Sequence, residues 1–210
     1  MSEKNPSPDE SEIARLLTSA LTSHQAGNLA EAESGYRRVL GLARSHPDAL
    51  RLLGVLCYQT GRMDEALKLL ECAIDSAPDN VDALCNMGLV LSAEGSYQKA
   101  EEVLRRAIRL DPVAPASYNT LGGVLLAVGD LKRAVGAYRK ATELAPAFVE
   151  GLVNLANALL LSGRPDLARS PCRQAISLAG ELPEAHIVMG NIHASLNEND
   201  SAITSVHQTC

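Results

Sequence analysis

Apolar side chains recur along this chain three and four residues apart, in short blocks separated by Gly, Asn or Pro. That spacing predicts amphipathic helices. Leu50, Leu53, Gly54 and Cys57 form one stripe; after a break at Gly61-Arg62, the residues Ala66, Leu70 and Ala73 form a second that faces back. The pattern returns as Leu84, Met87 and Leu91 followed by Leu104 and Ala107, and again as Tyr118, Leu121 and Leu125 followed by Tyr138 and Ala141. Nearer the N-terminus, Ile13, Leu16, Leu17, Ala20 and Leu21 predict a helix that Gly27-Asn28 ends, and Ala32, Tyr36, Val39 and Leu40 predict its partner. Ser7, Pro8 and Glu10 suit the start of the first helix, as cap, first-turn proline and capping-box acid. Residues 1–7 read as a disordered tail.

The blocks are evenly phased. Gly54, Gly88, Gly122, Ala156 and Gly190 stand thirty-four residues apart, and so do Ala66, Ala100, Ala134, Ala168 and Ala202. Gly27, Gly61, Gly95, Gly129 and Gly163 form a third row that Asn197 closes. A period of this length, with a small residue in each of two helices, marks a helix–turn–helix repeat. The small residues let the two backbones of a pair approach, and a larger side chain there would overpack the contact at about 1–3 kcal/mol.

The stretch Asp82 to Pro112, with Gly88, Gly95, Ala100 and the closing Pro112, resembles the tetratricopeptide repeat (TPR) family, and the likeness covers nearly the whole chain. It implies an all-α fold, a right-handed α-solenoid of antiparallel helix pairs with a 34-residue repeat. The array then occupies 8–210, in units 13–46 (degenerate), 47–80, 81–114, 115–148, 149–182 and an incomplete 183–210. In the fifth unit Pro165 is harmless at a helix start, but Pro171 lies about a turn further in and is expected to kink or break the second helix. In the sixth, the chain reaches Cys210 inside what should be a second helix, leaving the apolar Ile203 and Val206 without a polar cap.

Composition narrows the function. A formal net charge of −6 argues against nucleic-acid binding, which depends on Lys and Arg neutralising phosphates. The polar N-terminus MSEKNPSPDESE has no secretory character, and no stretch approaches the ~20 apolar residues of a spanning helix. The expectation is a cytoplasmic protein with no membrane partner. Five cysteines lack any C-x-x-C spacing and read as small apolar residues, so neither metal nor cofactor is expected.

Catalytic motifs are missing: there is no phosphate-binding Gly-rich loop, no G-x-S-x-G and no H-E-x-x-H. His186 and His193 fall in the register of Leu84 with Leu91 and are assigned to the core; Cys172 takes the place of Leu70 and Leu104.

What remains is surface. The resemblance implies that first helices line a concave face that holds a protein or peptide ligand. Its groove positions fall here on Arg51, Val55, Tyr58, Leu89, Asn119, Leu126, Asn157, Leu160, Ile187 and Asn191, with Asn86 and Asn154 at the place of an Asn ladder. With Arg51 as the one basic residue among them, a clamp for acidic tails is not expected. The predicted function is a non-catalytic interaction scaffold. Two alternatives stay open: the substrate-recognising front part of a larger transferase resembling O-GlcNAc transferase, and self-association through the uncapped C-terminal end.

Overall fold

The computed structural model describes residues 10–180 and 182–208, with side chains described as far as Asn197. Among these residues every regular element is a helix. Two compact units divide the chain, Met1–Leu110 and Asp111–Cys210. The first contains α1 (Glu10–Gln25), α2 (Leu29–Leu42), α3 (Pro47–Gln59), α4 (Met63–Ser76), α5 (Val81–Glu94) and α6 (Tyr97–Leu110). The second contains α7 (Pro115–Val128), α8 (Leu131–Leu144), α9 (Val149–Leu161), α10 (Pro165–Ala179) and α11 (Pro183–Gln208). The expected tail and the cap at Ser7 and Pro8 lie outside the described residues.

Helix boundaries follow from local chemistry. Pro47, Pro115 and Pro165 occupy first-turn positions, where a missing N–H costs nothing. Asn80 Oδ1 accepts from the Ala83 amide at 2.9 Å and Asp130 Oδ1 from the Arg133 amide at 3.0 Å, capping α5 and α8. The turn inside each pair is a Gly in the left-handed region. At Gly95 (φ 90°) the following Ser96 N–H reaches back to the Leu91 carbonyl at 2.8 Å, a Schellman closure.

Within a pair, the phased glycines sit under large side chains of the second helix. A Cβ on Gly88 would lie 2.6 Å from Leu104 Cγ, and one on Gly122 would lie 2.6 Å from Tyr138 Cε1. The first pair inverts the arrangement: Ala20 stands on α1, and Gly35 on α2 provides the room, so that a Cβ at Gly35 would be 2.6 Å from Ala20 Cβ. Within each unit, second helices pack on the next first helix through small layers such as Leu50, Ala73 and Ala83 in the first, or Leu152, Ala175 and Ala185 in the second.

A second periodic device closes the links between repeats. The backbone carbonyls of Pro78, Pro112, Pro146 and Gly180 hold equivalent places, and each accepts from a side chain. Arg106 Nη2 reaches Pro78 O at 2.6 Å and Gln174 Nε2 reaches Pro146 O at 2.8 Å, both from a following second helix. Tyr118 Oη reaches Pro112 O at 3.1 Å and His186 Nε2 reaches Gly180 O at 2.9 Å, both from a following first helix.

Three expectations are corrected here. Pro171 does not break its helix: α10 runs unbroken from Pro165 to Ala179 with Pro171 buried inside it. Pro171 is interior, the seventh of fifteen residues, but Ala168, Cys172 and Ala175 on the same helix are all fully buried, so packing outweighs the lost backbone bond. The sixth unit does not turn at Asn197. α11 continues to Gln208, and no non-glycine residue among those described has a positive φ. A left-handed Asn costs more than a Gly there, and continuing the helix keeps its backbone bonds. Ile203 and Val206 lie beyond the described side chains.

The third correction concerns the histidines. His186 and His193 are exposed, not core; α11 instead buries Ala185, Val188 and Ile192. Their stripe is the one that a returning second helix covers in earlier repeats. Gly190 lies on that stripe, and a Cβ added to it would meet nothing within 4 Å, unlike one on Gly88 or Gly122.

Candidate partner-binding face

In each unit the first helices of successive repeats touch directly, α1 with α3 and α3 with α5, α7 with α9 and α9 with α11. No backbone approach of this kind between second helices occurs among the described residues. The first helices therefore line the inside of the bend within each unit, and the side chains they leave uncovered form the candidate face.

In the first unit this face carries Arg51, Val55 and Tyr58 on α3, all half-buried, with Asn86 half-buried and Leu89 exposed on α5. The Arg51 Nη2 lies 3.4 Å from the Asp48 carboxylate, while its buried Nε has no hydrogen-bond partner among the described residues. In the second unit, α7 contributes Asn119 and Leu126, α9 contributes Asn154, Asn157 and Leu160, and α11 contributes Ile187 and Asn191. Leu126 and Leu160 are half-buried against the core, whereas Ile187 is 63% exposed.

The amides are not equivalent. Asn154 Nδ2 donates to Asn119 Oδ1 at 3.0 Å, and Asn119 Nδ2 donates to Glu150 Oε1 at 2.9 Å. This chain joins α7 to α9 and fixes Asn119, which is buried, as a structural centre. The face of the second unit is thus brought together around Asn119, Glu150 and Asn154, while Ile187 and Asn191 stand out in solvent.

Beneath this face, Gly122 and Gly123 let the Tyr138 ring pass under α7, its hydroxyl ending 3.7 Å from where a Gly123 Cβ would stand. Burial, with the Glu150 charge adding to it, pushes the Tyr138 phenol up to about 12, so it stays a neutral hydrogen-bonding group.

The sequence analysis missed an acidic row. Asp48, Asp82, Glu150 and Glu184 each hold the second position of a first helix, with Ala116 interrupting them. Their thirty-four-residue spacing was available as a signal, but acids at helix starts also complement the helix dipole and so draw no notice. Within each unit they add negative charge to the starts of the first helices.

Behind the face in the first unit, Glu33 on α2 lies 2.7 Å from both Arg37 and Arg62, and Arg37 continues to Glu65 at 2.7 Å. The Arg62 and then the Arg37 hydrogen bonds hold the Glu33 carboxyl down at about 2. This network ties α2 to the start of α4 through side chains. Cys57 below it is buried, which pushes its thiol up to about 11, the opposite of a reactive thiolate. Among the described residues no group of three or more His, Cys, Asp and Glu could hold a metal ion, and no helix is long and apolar enough to cross a membrane.

Paired antiparallel helices, repeated at a fixed period with Gly at each turn, define a helical-hairpin repeat protein. Profiles of the tetratricopeptide repeat match residues 47–113 and, in a second form, 85–147 and 119–186. Together they run from 47 to 186, and the chain belongs to the tetratricopeptide repeat family. No curated protein matches this sequence.

Among solved structures the chain is similar to TTC0263, a thermophilic TPR protein of Thermus thermophilus. The TM-score is 0.76 at 19% identity, over 88% of this chain and 98% of that one. PilF of Pseudomonas aeruginosa gives 0.75 at 21% identity, over 93% and 89%. YrrB, described as a TPR protein with an unusual peptide-binding site, gives 0.56 at 21% identity, over 81% and 88%. At these identities the likeness is one of fold.

Proposed function

We propose that this chain is a non-catalytic scaffold that captures a protein or peptide segment on the inner faces of its first helices. The observation that carries the reading is the aliphatic side chains left uncovered on first helices, Leu89 at 44% exposure in the first unit and Ile187 at 63% in the second, where Asn119, Glu150 and Asn154 are also fixed in place. Uncovered aliphatics next to oriented polar groups suit a peptide, which supplies apolar side chains and backbone N–H groups together. YrrB, of the same fold, carries a peptide-binding site and lends the reading support. Arg51, beside the Asp48 carboxylate, is a poor clamp for an acidic tail.

The test is capture by wild type against Leu89→Ser combined with Ile187→Ser. Both side chains are exposed, so helicity is expected to stay unchanged while the captured proteins, quantified by mass spectrometry, fall at least several-fold. Leu126 and Leu160 are less suitable, since they pack on the core and their removal would also cost stability. An unchanged capture profile moves binding away from the inner face.

A further inference from the structure

We infer that the second unit holds a pocket for a cationic side chain, a Lys or Arg flanked by an aliphatic residue in the captured segment. The inference rests on the peptide-capturing face proposed above and names the chemistry that one part of it selects.

The pocket is a concavity of about 430 Å³, open to solvent, between the start of α9 and the start of α11, with Glu150 and Glu184 exposed at its rim. Val149, Val153 and Leu182, all half-buried, give it an apolar floor; Glu150, Glu184 and Asn154 give it polar walls. A volume of this size admits one long side chain and part of its neighbour, and an apolar floor under carboxylates is what a Lys or Arg needs. The aliphatic stem lies on the floor while the charged head stays between carboxylates.

The charge balance decides the sign. Two helix N-termini face this region, each worth roughly +0.5 of a charge, against two full carboxylates, which leaves about −1. Among the described residues no Lys or Arg lines the pocket to cancel it. Helix-dipole compensation accounts for part of the acidity and leaves the rest, in a concavity rather than on an open surface.

The geometry is held from outside the pocket. Asn119, on α7, fixes one oxygen of Glu150 and the amide nitrogen of Asn154 at 2.9 and 3.0 Å. Asn154 is thereby oriented with its nitrogen engaged, which leaves its amide oxygen as the acceptor for a peptide N–H. A carboxylate and an amide set by a buried neighbour, over an apolar floor, form a more selective arrangement than scattered surface acids.

The experiment pans a random dodecapeptide phage library on the full chain and then titrates the enriched peptides, made synthetically, by fluorescence anisotropy. The expected result is enrichment of Lys or Arg next to an aliphatic residue, with binding roughly tenfold weaker to the Glu150→Gln, Glu184→Gln double variant. Glu184→Gln alone leaves the Asn119 amide chain intact and is expected to weaken binding in the same direction. Enriched peptides without a basic residue that are lost with Leu89→Ser and Ile187→Ser would overturn the cation pocket and leave the face standing. Basic peptides that bind both Gln variants like wild type would also overturn it. No enrichment at all would take down the face and the pocket together.

Discussion

Asn154 on α9 donates to Asn119 on α7 at 3.0 Å, and the two amides are thirty-five residues apart, one more than the repeat. The bond therefore runs diagonally between successive first helices, and Glu150 closes the chain from the other side of Asn119. Two residues on a surface face thus act first as a joint between repeats.

Replacing Asn119 by Ala removes both bonds and leaves Glu150 and Asn154 to water. The expected loss is about 1–2 kcal/mol of unfolding free energy, read from urea melts followed by circular dichroism. Asn191→Ala, at an exposed place on α11, is expected to stay within about 0.5 kcal/mol of wild type. Equal effects at the two positions would mean that the amide chain holds nothing together.

Two glycines of the same row make opposite predictions. Gly122→Ala drives a Cβ to 2.6 Å from the buried Tyr138 ring and is expected to destabilise by about 1–3 kcal/mol. Gly190→Ala meets nothing within 4 Å, and exchanging Gly for Ala inside a helix is worth up to about 1 kcal/mol of stabilisation. Thermal melts of the two variants are expected to shift to opposite sides of wild type. A loss at Gly190 as large as that at Gly122 would mean that a second helix covers α11 after all.

The contrast shows what could be read in the sequence. The period, the paired helices and the turns were legible because each is set by residues close in sequence: Gly95 needs only its own backbone, and Pro47 only its own helix start. The sixth unit was not, because Gly190, His186 and His193 repeat the earlier spelling while their partner helix does not fold back. Whether a residue is core depends on what lies across from it. His186 took a place that is apolar in other repeats, yet it works as Tyr118 does, donating to the carbonyl that ends the preceding repeat.

Register named the residues of the proposed face but not what each of them contacts. Leu89 and Ile187 are exposed side chains of first helices. Asn119 was read as a groove position and Asn154 as a place on an Asn ladder, with no bond between them, because a diagonal bond leaves no mark in a strict period. The acids at 48, 82, 150 and 184 look like ordinary helix-start residues until the first helices of a unit are seen to touch. Pro171 was misjudged because propensity was weighed without the buried layer around it.

The Glu33 network makes a prediction with a definite sign. Its carboxyl is lowered from 4.5 to about 2, chiefly by the Arg62 and Arg37 hydrogen bonds. A depressed carboxyl contributes stability in full above its unfolded value and loses it as pH falls through the folded one. The contribution is therefore complete above pH 4.5 and drains away toward about pH 2. Arg37 and Glu65 are partly exposed, so salt should weaken the network as well. Urea midpoints taken down this acid range are expected to fall more steeply for wild type than for Glu33→Gln, and the two curves should converge near the acid end. Parallel curves would mean that the arginines gain nothing from the Glu33 charge.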